Sequence, residues 1–380
     1  MTGYSMKNID FIFFDAGGGH RSAATALKTV IEEQNRPWRV RLINLQEVLQ
    51  PLDIFRKLTG IQMEDVYNKL LAKGWTLGSE YLIAPMHAII RLYHPAQVRM
   101  MANFWAKEPP DMVVSVVPNF NRALFQALRR VSPTKPYVSI LTDLADYPPH
   151  FWMEKQDQYF ICGTDRAVEQ ARSLGHPDNK IFRTSGMILR PIFYQPITVD
   201  RAAGREKLGL HRDKPTGIVL FGGQGSSVML EIAKRLGNST LDMQLILICG
   251  RNEKLATRIR ALNTRIPLHV AGFTQEVPYF MHLSDFMIGK PGPGSISEAI
   301  AMKLPVIIEH NAWTLPQERF NTQWVRDRKF GIVVDNFRDI AAAVAQLLQP
   351  ETYRSMKAAI SEIENRAIFE IPDMLERLLP

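Results

Sequence analysis

Three times in this chain an apolar run that reads as a strand stops at a cluster of glycines and passes directly into a helical pattern. Near the amino terminus the run 9–14 leads into Asp15-Ala16-Gly17-Gly18-Gly19-His20 and then a helical stretch over 22–31. In mid-chain 217–221 leads into Gly222-Gly223-Gln224-Gly225-Ser226-Ser227 and a helix through 236. Later, 286–288 leads into Gly289-Lys290-Pro291-Gly292-Pro293-Gly294. Ser295 stands there at a helix start, and Ile296, Ala299, Ile300 and Met302 give that helix an apolar face. Strand, glycine turn and helix in that order form the repeating unit of a doubly wound α/β sheet, which gathers ligands at the carboxyl ends of its strands. Glycine lets the backbone approach a ligand with no Cβ in the way. The free N–H groups and positive dipole end of the new helix favour an anion such as phosphate. Any one of these segments also fits an ordinary Gly-Pro turn. Their recurrence is what argues for binding turns.

Some twenty residues beyond the third turn lies the polar cluster Gln317-Glu318-Arg319-Phe320-Asn321. A carboxylate such as Glu318 can accept hydrogen bonds from sugar hydroxyls. Diphosphate on the helix end and sugar on the carboxylate together suggest a nucleotide-sugar site. None of the turns has the dinucleotide spacing G-x-G-x-x-G. After the first of them Asn44 and Gln46 stand where a ribose-binding acid belongs, so hydride transfer is a poor reading.

The remaining pattern supports two such domains. Strands are expected at 40–45, 112–117, 137–141 and 158–162 in the first half, and at 244–249, 268–271, 306–308 and 331–334 in the second. Leu189 through Pro196 reads as a linker, and the helices after 340 as broken at Pro350 and at Ile371-Pro372. The expected division is 1–192, 193–360, and a terminal helix over 361–380 that returns to the first domain. An insertion over about 48–107 interrupts the first domain. It interleaves Phe55, Tyr67, Trp75, Tyr81, Tyr93, Phe104 and Trp105 with Arg56, Lys57, Lys69, Lys73, Arg91 and Arg99. That mixture suits a helical surface lying on an anionic membrane; a cap with its aromatics buried fits it too.

Composition bounds the rest. A chain of 380 residues, 46% hydrophobic and 22% charged, is long enough for two packed domains. The two cysteines, Cys162 and Cys249, sit in apolar runs and read as reduced core residues of an intracellular protein. No run reaches the ~20 apolar residues of a membrane span, and no signal peptide precedes the first strand. The expectation is a cytoplasmic protein associated peripherally with membrane. The net charge of +8 suits anionic partners such as a nucleotide or an acidic lipid surface, and a solvated basic surface with no partner fits it equally. No RNA-recognition or zinc-finger pattern appears, so nucleic acid is the weaker partner class.

Several of these segments resemble monogalactosyldiacylglycerol synthases and their MurG-like relatives. Asp15 through Ala24 is similar to that family's amino-terminal motif. Leu141-Thr142-Asp143-Leu144, Phe151-Trp152 and Arg190-Pro191-Ile192-Phe193 follow, then Cys249-Gly250-Arg251-Asn252, Gly272-Phe273-Thr274, Lys290 through Glu298 and Gln317-Glu318, in the family's order. The resemblance spans nearly the whole chain. It implies a GT-B fold, two Rossmann-like doubly wound domains facing a cleft, with a UDP-sugar as donor substrate and inversion at the anomeric carbon. One segment departs: Val116-Val117-Pro118-Asn119 replaces a stretch where the family carries histidine before the proline, so the acceptor need not be diacylglycerol.

An inverting transfer needs a base for the acceptor hydroxyl and a stabiliser for the departing diphosphate. His20 is the base candidate, its ordinary pKa near ~6.5 leaving it neutral at working pH; by position alone it also fits a helix cap. Asp143 can orient it or share the role, or serve as an N-cap. The donor candidates are Gly18, Gly19, Gly223, Gln224, Gly225, Arg251, Phe273, Thr274, Pro293, Gly294, Ser295, Glu298, Gln317 and Glu318. Backbone N–H groups of Gly294 and Ser295 would take the leaving charge, and the Phe273-Thr274 loop the uracil. No Asp-x-Asp occurs, so neither metal nor other cofactor is expected. The partners expected are the UDP-sugar and a lipid or amphiphilic acceptor. A UDP-sugar epimerase, a soluble acceptor, and an idle binding module remain as other readings.

Overall fold

The computed structural model describes residues 6–15, 18–52, 79–147 and 150–379. They fall into two compact units. Ser79–Pro191 and Asn365–Pro380 join the amino-terminal residues in the first, and Ile192–Glu364 makes the second.

The first unit holds a six-stranded, all-parallel sheet of β1 (Lys7–Phe13), β2 (Trp38–Asn44), β3 (Met112–Ser115), β4 (Tyr137–Ile140), β5 (Tyr159–Cys162) and β6 (Ile181–Arg183), in the order β2-β1-β3-β4-β5-β6. Five of the strands answer the expected runs. The sixth was not expected, because three half-exposed residues at an edge carry no alternation to read. Helices Ser79–Lys107 and Asn121–Val131 close a core of Ile12, Ile43, Val98, Met101, Trp105, Val113, Leu124, Leu128 and Tyr137. The helix Gly19–Glu33 buries Ala24, Leu27 and Ile31 and packs along the terminal helix Ala367–Glu376.

That terminal helix is fastened by polar contacts. The Arg36 guanidinium pairs with Asp373 and donates to Glu376 Oε2 at 2.8 Å. Asn365 Nδ2 donates to the Met187 carbonyl at 2.8 Å, and Glu370 Oε2 accepts from the Ser185 N–H at 2.8 Å. Pro372 lies inside this helix, not at a break. The interruption falls instead at 362–366, while Pro350 opens the helix Pro350–Ser361, the position where proline's missing N–H costs nothing.

The insertion also differs from its expected role at one point. Trp105 is fully buried in the core, so it belongs to the structural cap and not to a membrane face. Arg91 and Arg99 are exposed, and Leu92 keeps 74% of its surface. Phe55, Arg56, Lys57, Tyr67, Lys69, Lys73 and Trp75, with the side chain of Tyr81, lie outside the described residues. Among the described residues no helix is long and apolar enough to cross a membrane.

The second unit repeats the architecture with β7 (Thr216–Leu220), β8 (Gln244–Ile248), β9 (Leu268–Ala271), β10 (Phe286–Gly289), β11 (Val306–Glu309) and β12 (Gly331–Val334). Their parallel order β12-β11-β10-β7-β8-β9 is that of a dinucleotide-type Rossmann sheet. Its core joins Val219, Leu245, Leu247, Phe286 and Ile288 to Met229, Ile232, Leu236, Val344 and Leu347. In the first sheet the order reverses between β1 and β3, in the second between β7 and β10. The three glycine turns follow β1, β7 and β10, the strands that flank the reversals, where neighbouring connections diverge and leave room for a ligand.

One buried charge group crosses the first sheet. Asp10 in β1 is fully buried and accepts from Arg41 Nε of β2 at 2.6 Å and from Trp105 Nε1 at 2.8 Å. Burial raises its carboxyl above the usual range even with Arg41 opposing. Arg41→Met would leave this acid without its cation. Its urea unfolding free energy should fall by about 3–5 kcal/mol. A loss below ~1 kcal/mol would show that the pair does not hold the sheet to the helix Ser79–Lys107.

Candidate active site

At the carboxyl edge of the first sheet, β1 ends at Phe13 and the chain turns through Gly18, which takes a left-handed φ of 77° and no side-chain cap. A Cβ on Gly18 or Gly19 would meet nothing within 4 Å, so the turn opens onto space. His20 follows in the first turn of its helix, half-buried. Its Nδ1 lies 3.1 Å from Thr142 Oγ1, and the Trp152 ring is tilted against it at 5.9 Å. Burial pushes the imidazole pKa down to about 4, partly opposed by a hydrogen bond to the Val116 backbone. The positive end of the helix acts in the same direction as burial. His20 is therefore a neutral ring with a lone pair at any physiological pH.

Asp143 is placed differently from expectation. The side chain meeting His20 Nδ1 is Thr142, and Asp143 Oδ2 accepts the Trp152 indole N–H at 2.8 Å. It reaches the histidine through the tryptophan. Neighbouring backbone is fixed by Asp146, whose carboxylate accepts from the N–H groups of Trp152 at 2.6 Å and His150 at 3.0 Å. Buried Asn121 ties the two sides together. Its Nδ2 donates to the carbonyls of Val117 and Trp152, and its Oδ1 accepts from Ser115 and Tyr137. Asn44, which stands where a ribose-binding acid would be needed, accepts from the Gln46 N–H as a helix cap.

At the carboxyl edge of the second sheet the turn after β7 packs against the turn after β8. Gly225 has φ 62° and a Cβ there would stand 2.5 Å from the Cys249 carbonyl; on Gly250, at φ 60°, it would stand 2.3 Å from that of Gly223. Arg251 N–H donates to the Gly223 carbonyl at 2.9 Å. Only glycines allow two backbones this close. The Arg251 guanidinium lies 4.6 Å from the ring of Phe273, which remains 53% exposed after β9. Thr274 Oγ1 accepts from the Glu276 N–H at 3.0 Å and so shapes that loop.

The turn after β10 enters the helix Pro293–Ala301, whose N-cap Gly292 offers no side chain, so the N–H groups of Gly294 and Ser295 have no cap. The helix begins at Pro293, two residues before Ser295, whose hydroxyl donates back to the Gly292 carbonyl at 3.2 Å. Glu318 is only 7% exposed, in the first turn of Pro316–Asp327, and Lys290 Nζ donates to its Oε1 at 3.3 Å. Gln317 and Glu298 stand half-buried on these two helices. Two residues outside the expected set belong here. Lys290 supplies a cation beside the turn. Asn321 Nδ2 donates to the Pro291 carbonyl at 2.8 Å, while its buried Oδ1 has no hydrogen-bond partner among the described residues. Their signal was spacing: a lysine beside the glycines, and an asparagine one turn beyond the glutamate.

Gly18 and Gly19, counted among the donor residues, belong to the first unit, and the other donor candidates to the second. A shallow hollow of about 590 Å³ beside Glu206, Arg212, Lys214 and Asp242 lies at the amino ends of β7 and β8, away from the glycine turns.

The fold and turns are those of a known class. The model of the glycosyltransferase family 28 C-terminal domain matches residues 218–365. Acinetobacter baumannii MurG superposes with a TM-score of 0.63 at 10% identity, over 98% of this chain and 99% of that one. S. aureus MnaA in its UDP co-structure gives 0.62 at 14% identity, over 98% and 97%. The chain has a GT-B fold, and its second unit is similar to the family 28 C-terminal domain. Within that class it is homologous along its length to monogalactosyldiacylglycerol synthases. It is 28% identical to a probable chloroplastic one from Glycine max, over 100% of this chain and 73% of the relative. It is 27% identical to that of Spinacia oleracea, over 99% and 73%.

The glycine contacts predict a contrast. Gly250→Ala forces a Cβ onto the Gly223 carbonyl at positive φ. It should cost about 1–3 kcal/mol of stability and weaken UDP, measured by calorimetry, at least about tenfold, a loss of ~1.4 kcal/mol. Gly294→Ala enters open space and should unfold at the wild-type midpoint or above. Equal stability and UDP affinity for Gly250→Ala would mean that the paired turns do not form the donor site.

Proposed function

We propose that this chain is an inverting glycosyltransferase that moves a hexose from a UDP-sugar to a hydroxyl of a lipid acceptor, of diacylglycerol type, at a membrane surface. The observation that carries the mechanism is the neutral, enclosed His20 at the open glycine turn. His20 takes the acceptor proton as the acceptor oxygen attacks the anomeric carbon. The bond from that carbon to the diphosphate oxygen breaks with its electron pair, and the sugar inverts. UDP leaves with its charge spread over the uncapped N–H groups of Gly294 and Ser295, the helix dipole and Lys290. Glu318, Gln317 and Asn321 face the sugar hydroxyls, and the Arg251–Phe273 pair holds the uracil. Glu298 and the Gly223-Gln224-Gly225 turn complete the donor site. The acceptor half is supported by the whole-length relatives, which are named as synthases of a galactosyl diacylglycerol.

Incubating the purified chain with several UDP-sugars and a membrane extract, in EDTA, and analysing lipids by mass spectrometry tests this directly. A hexosyl lipid is expected. Interconverted UDP-sugar with no new lipid would establish an epimerase, and product that appears only with added magnesium or manganese would establish a metal requirement. His20→Ala should lose ~10²–10⁴ in turnover while binding UDP as the wild type does. Turnover near normal would remove His20 from the base role.

The membrane half rests on the exposed Arg91, Leu92 and Arg99 and on the basic residues of the insertion. Each cation near an acidic surface contributes about 1 kcal/mol, weakened by salt. Co-sedimentation with vesicles should rise with anionic lipid and fall with salt. Replacing Arg56, Lys57, Lys69 and Lys73 by Ser should reduce it and spare transfer to a short-chain acceptor. Indifference of the wild type to vesicles of every composition would make the acceptor a soluble molecule.

A further inference from the structure

We propose that Thr142 is the positioning residue for His20: its hydroxyl oxygen takes the hydrogen on Nδ1, leaving Nε2 as the nitrogen that receives the acceptor proton. The proposal rests on the reading of His20 as the base. It deepens that reading by naming what sets the tautomer and holds the ring.

A neutral imidazole carries one hydrogen, and the nitrogen without it is the base. Thr142 Oγ1 lies 3.1 Å from Nδ1. A hydroxyl can donate or accept, so this contact alone permits either tautomer. The Val116 backbone also bonds the ring. Nδ1 is the ring nitrogen with a side-chain partner, so Thr142 accepting there puts the single hydrogen on Nδ1 and the lone pair on Nε2.

The ring is also prevented from turning. Trp152 packs against it, and Trp152 is itself immobilised. Its indole N–H is held by Asp143 Oδ2, its backbone N–H by Asp146 Oδ1, and its carbonyl by Asn121 Nδ2. Thr142 is the residue next to Asp143, so one short loop after β4 supplies both the hydroxyl on the ring and the anchor of the aromatic wall. The loop is fixed to β5 by the Leu141 N–H on the Ile161 carbonyl at 3.1 Å.

A hydroxyl here has a consequence that a carboxylate would not. A carboxylate on Nδ1 would stabilise the imidazolium and raise the ring pKa. The charged groups nearby are already engaged. Asp143 faces the indole, Asp146 faces backbone N–H groups, and Asp15 on the glycine turn pairs with Arg21. Thr142 therefore orients the ring without charging it, and the histidine enters each turnover neutral.

The full-length protein with Thr142→Val, Thr142→Ser and Thr142→Asp tests this beside His20→Ala. Ring nitrogen shifts of ¹⁵N-histidine-labelled wild type should report Nδ1–H for His20, and Thr142→Val should move the ring toward Nε2–H. With a UDP-sugar and a short-chain diacylglycerol, Thr142→Val should lower kcat roughly 10–100-fold with the UDP-sugar KM unchanged, and Thr142→Ser should restore it. Thr142→Asp should move the acid limb of the rate profile to higher pH. Equal unfolding midpoints exclude misfolding as the cause. An Nε2–H wild-type ring, or a Thr142→Val protein unchanged in tautomer and kcat while His20→Ala is inactive, overturns the proposal alone. Full activity in His20→Ala would instead overturn the base reading, whatever the tautomer.

Discussion

Parallel pairing is the constraint from which the site follows. Every strand of both sheets runs the same way as its neighbours, so all the connections that leave carboxyl ends emerge along one edge. Within each unit, residues far apart in sequence are thereby delivered to one edge of its own sheet: His20 after β1, Asn119 after β3 and Thr142 after β4 in the first; Gly223, Arg251, Phe273, Lys290 and Glu318 in the second. A helix must return each strand to the opposite edge, and its amino terminus lies at the same end as the ligand. Helix starts without a side-chain cap at Gly18 and Gly292 lie at that edge as a product of the topology, and glycine adds no Cβ to cover them.

What the topology leaves loose, buried polar groups fix. Asn121 uses all of its bonding capacity to join β3, β4 and the loop carrying Trp152. Such groups are costly unless satisfied, and when satisfied they admit one arrangement of the chain. Asp10 does the same lower in the sheet by tying β1 to β2 and to Trp105. Apolar packing sets how strongly these elements adhere, and the polar pairs set the register in which they do so.

The fold and half of the site were legible because their signals are local. A strand, a glycine turn and a helix occupy about twenty residues, and the strand periodicity survives reading without neighbours. Edge strand β6 had only three residues to show. Trp105 stayed between a membrane face and a buried cap because the apolar residues of Ser79–Lys107 do not gather on one face, so their pattern does not say which point inward. The contact between Thr142 and His20 spans 122 positions. Nothing in either segment announces the other; only the pairing of β3 with β1 and β4 brings them together. Asp143 was a natural choice of partner by charge, yet the turn presents its neighbour to the ring.

The two units handle charge in opposite ways, and the proposed chemistry asks for both. A base must be neutral before it accepts a proton, so a ring enclosed by Trp152 and a hydroxyl, at the positive end of a helix, is suited to it. A leaving diphosphate gains charge at the transition state, so it needs dipoles and a cation already in place. The second unit has these in the bare start of Pro293–Ala301 and in Lys290, and the lysine is held beside the nearly buried Glu318. Carboxylate oxygens accept hydrogen bonds, so Glu318 suits the sugar hydroxyls of the proposed donor.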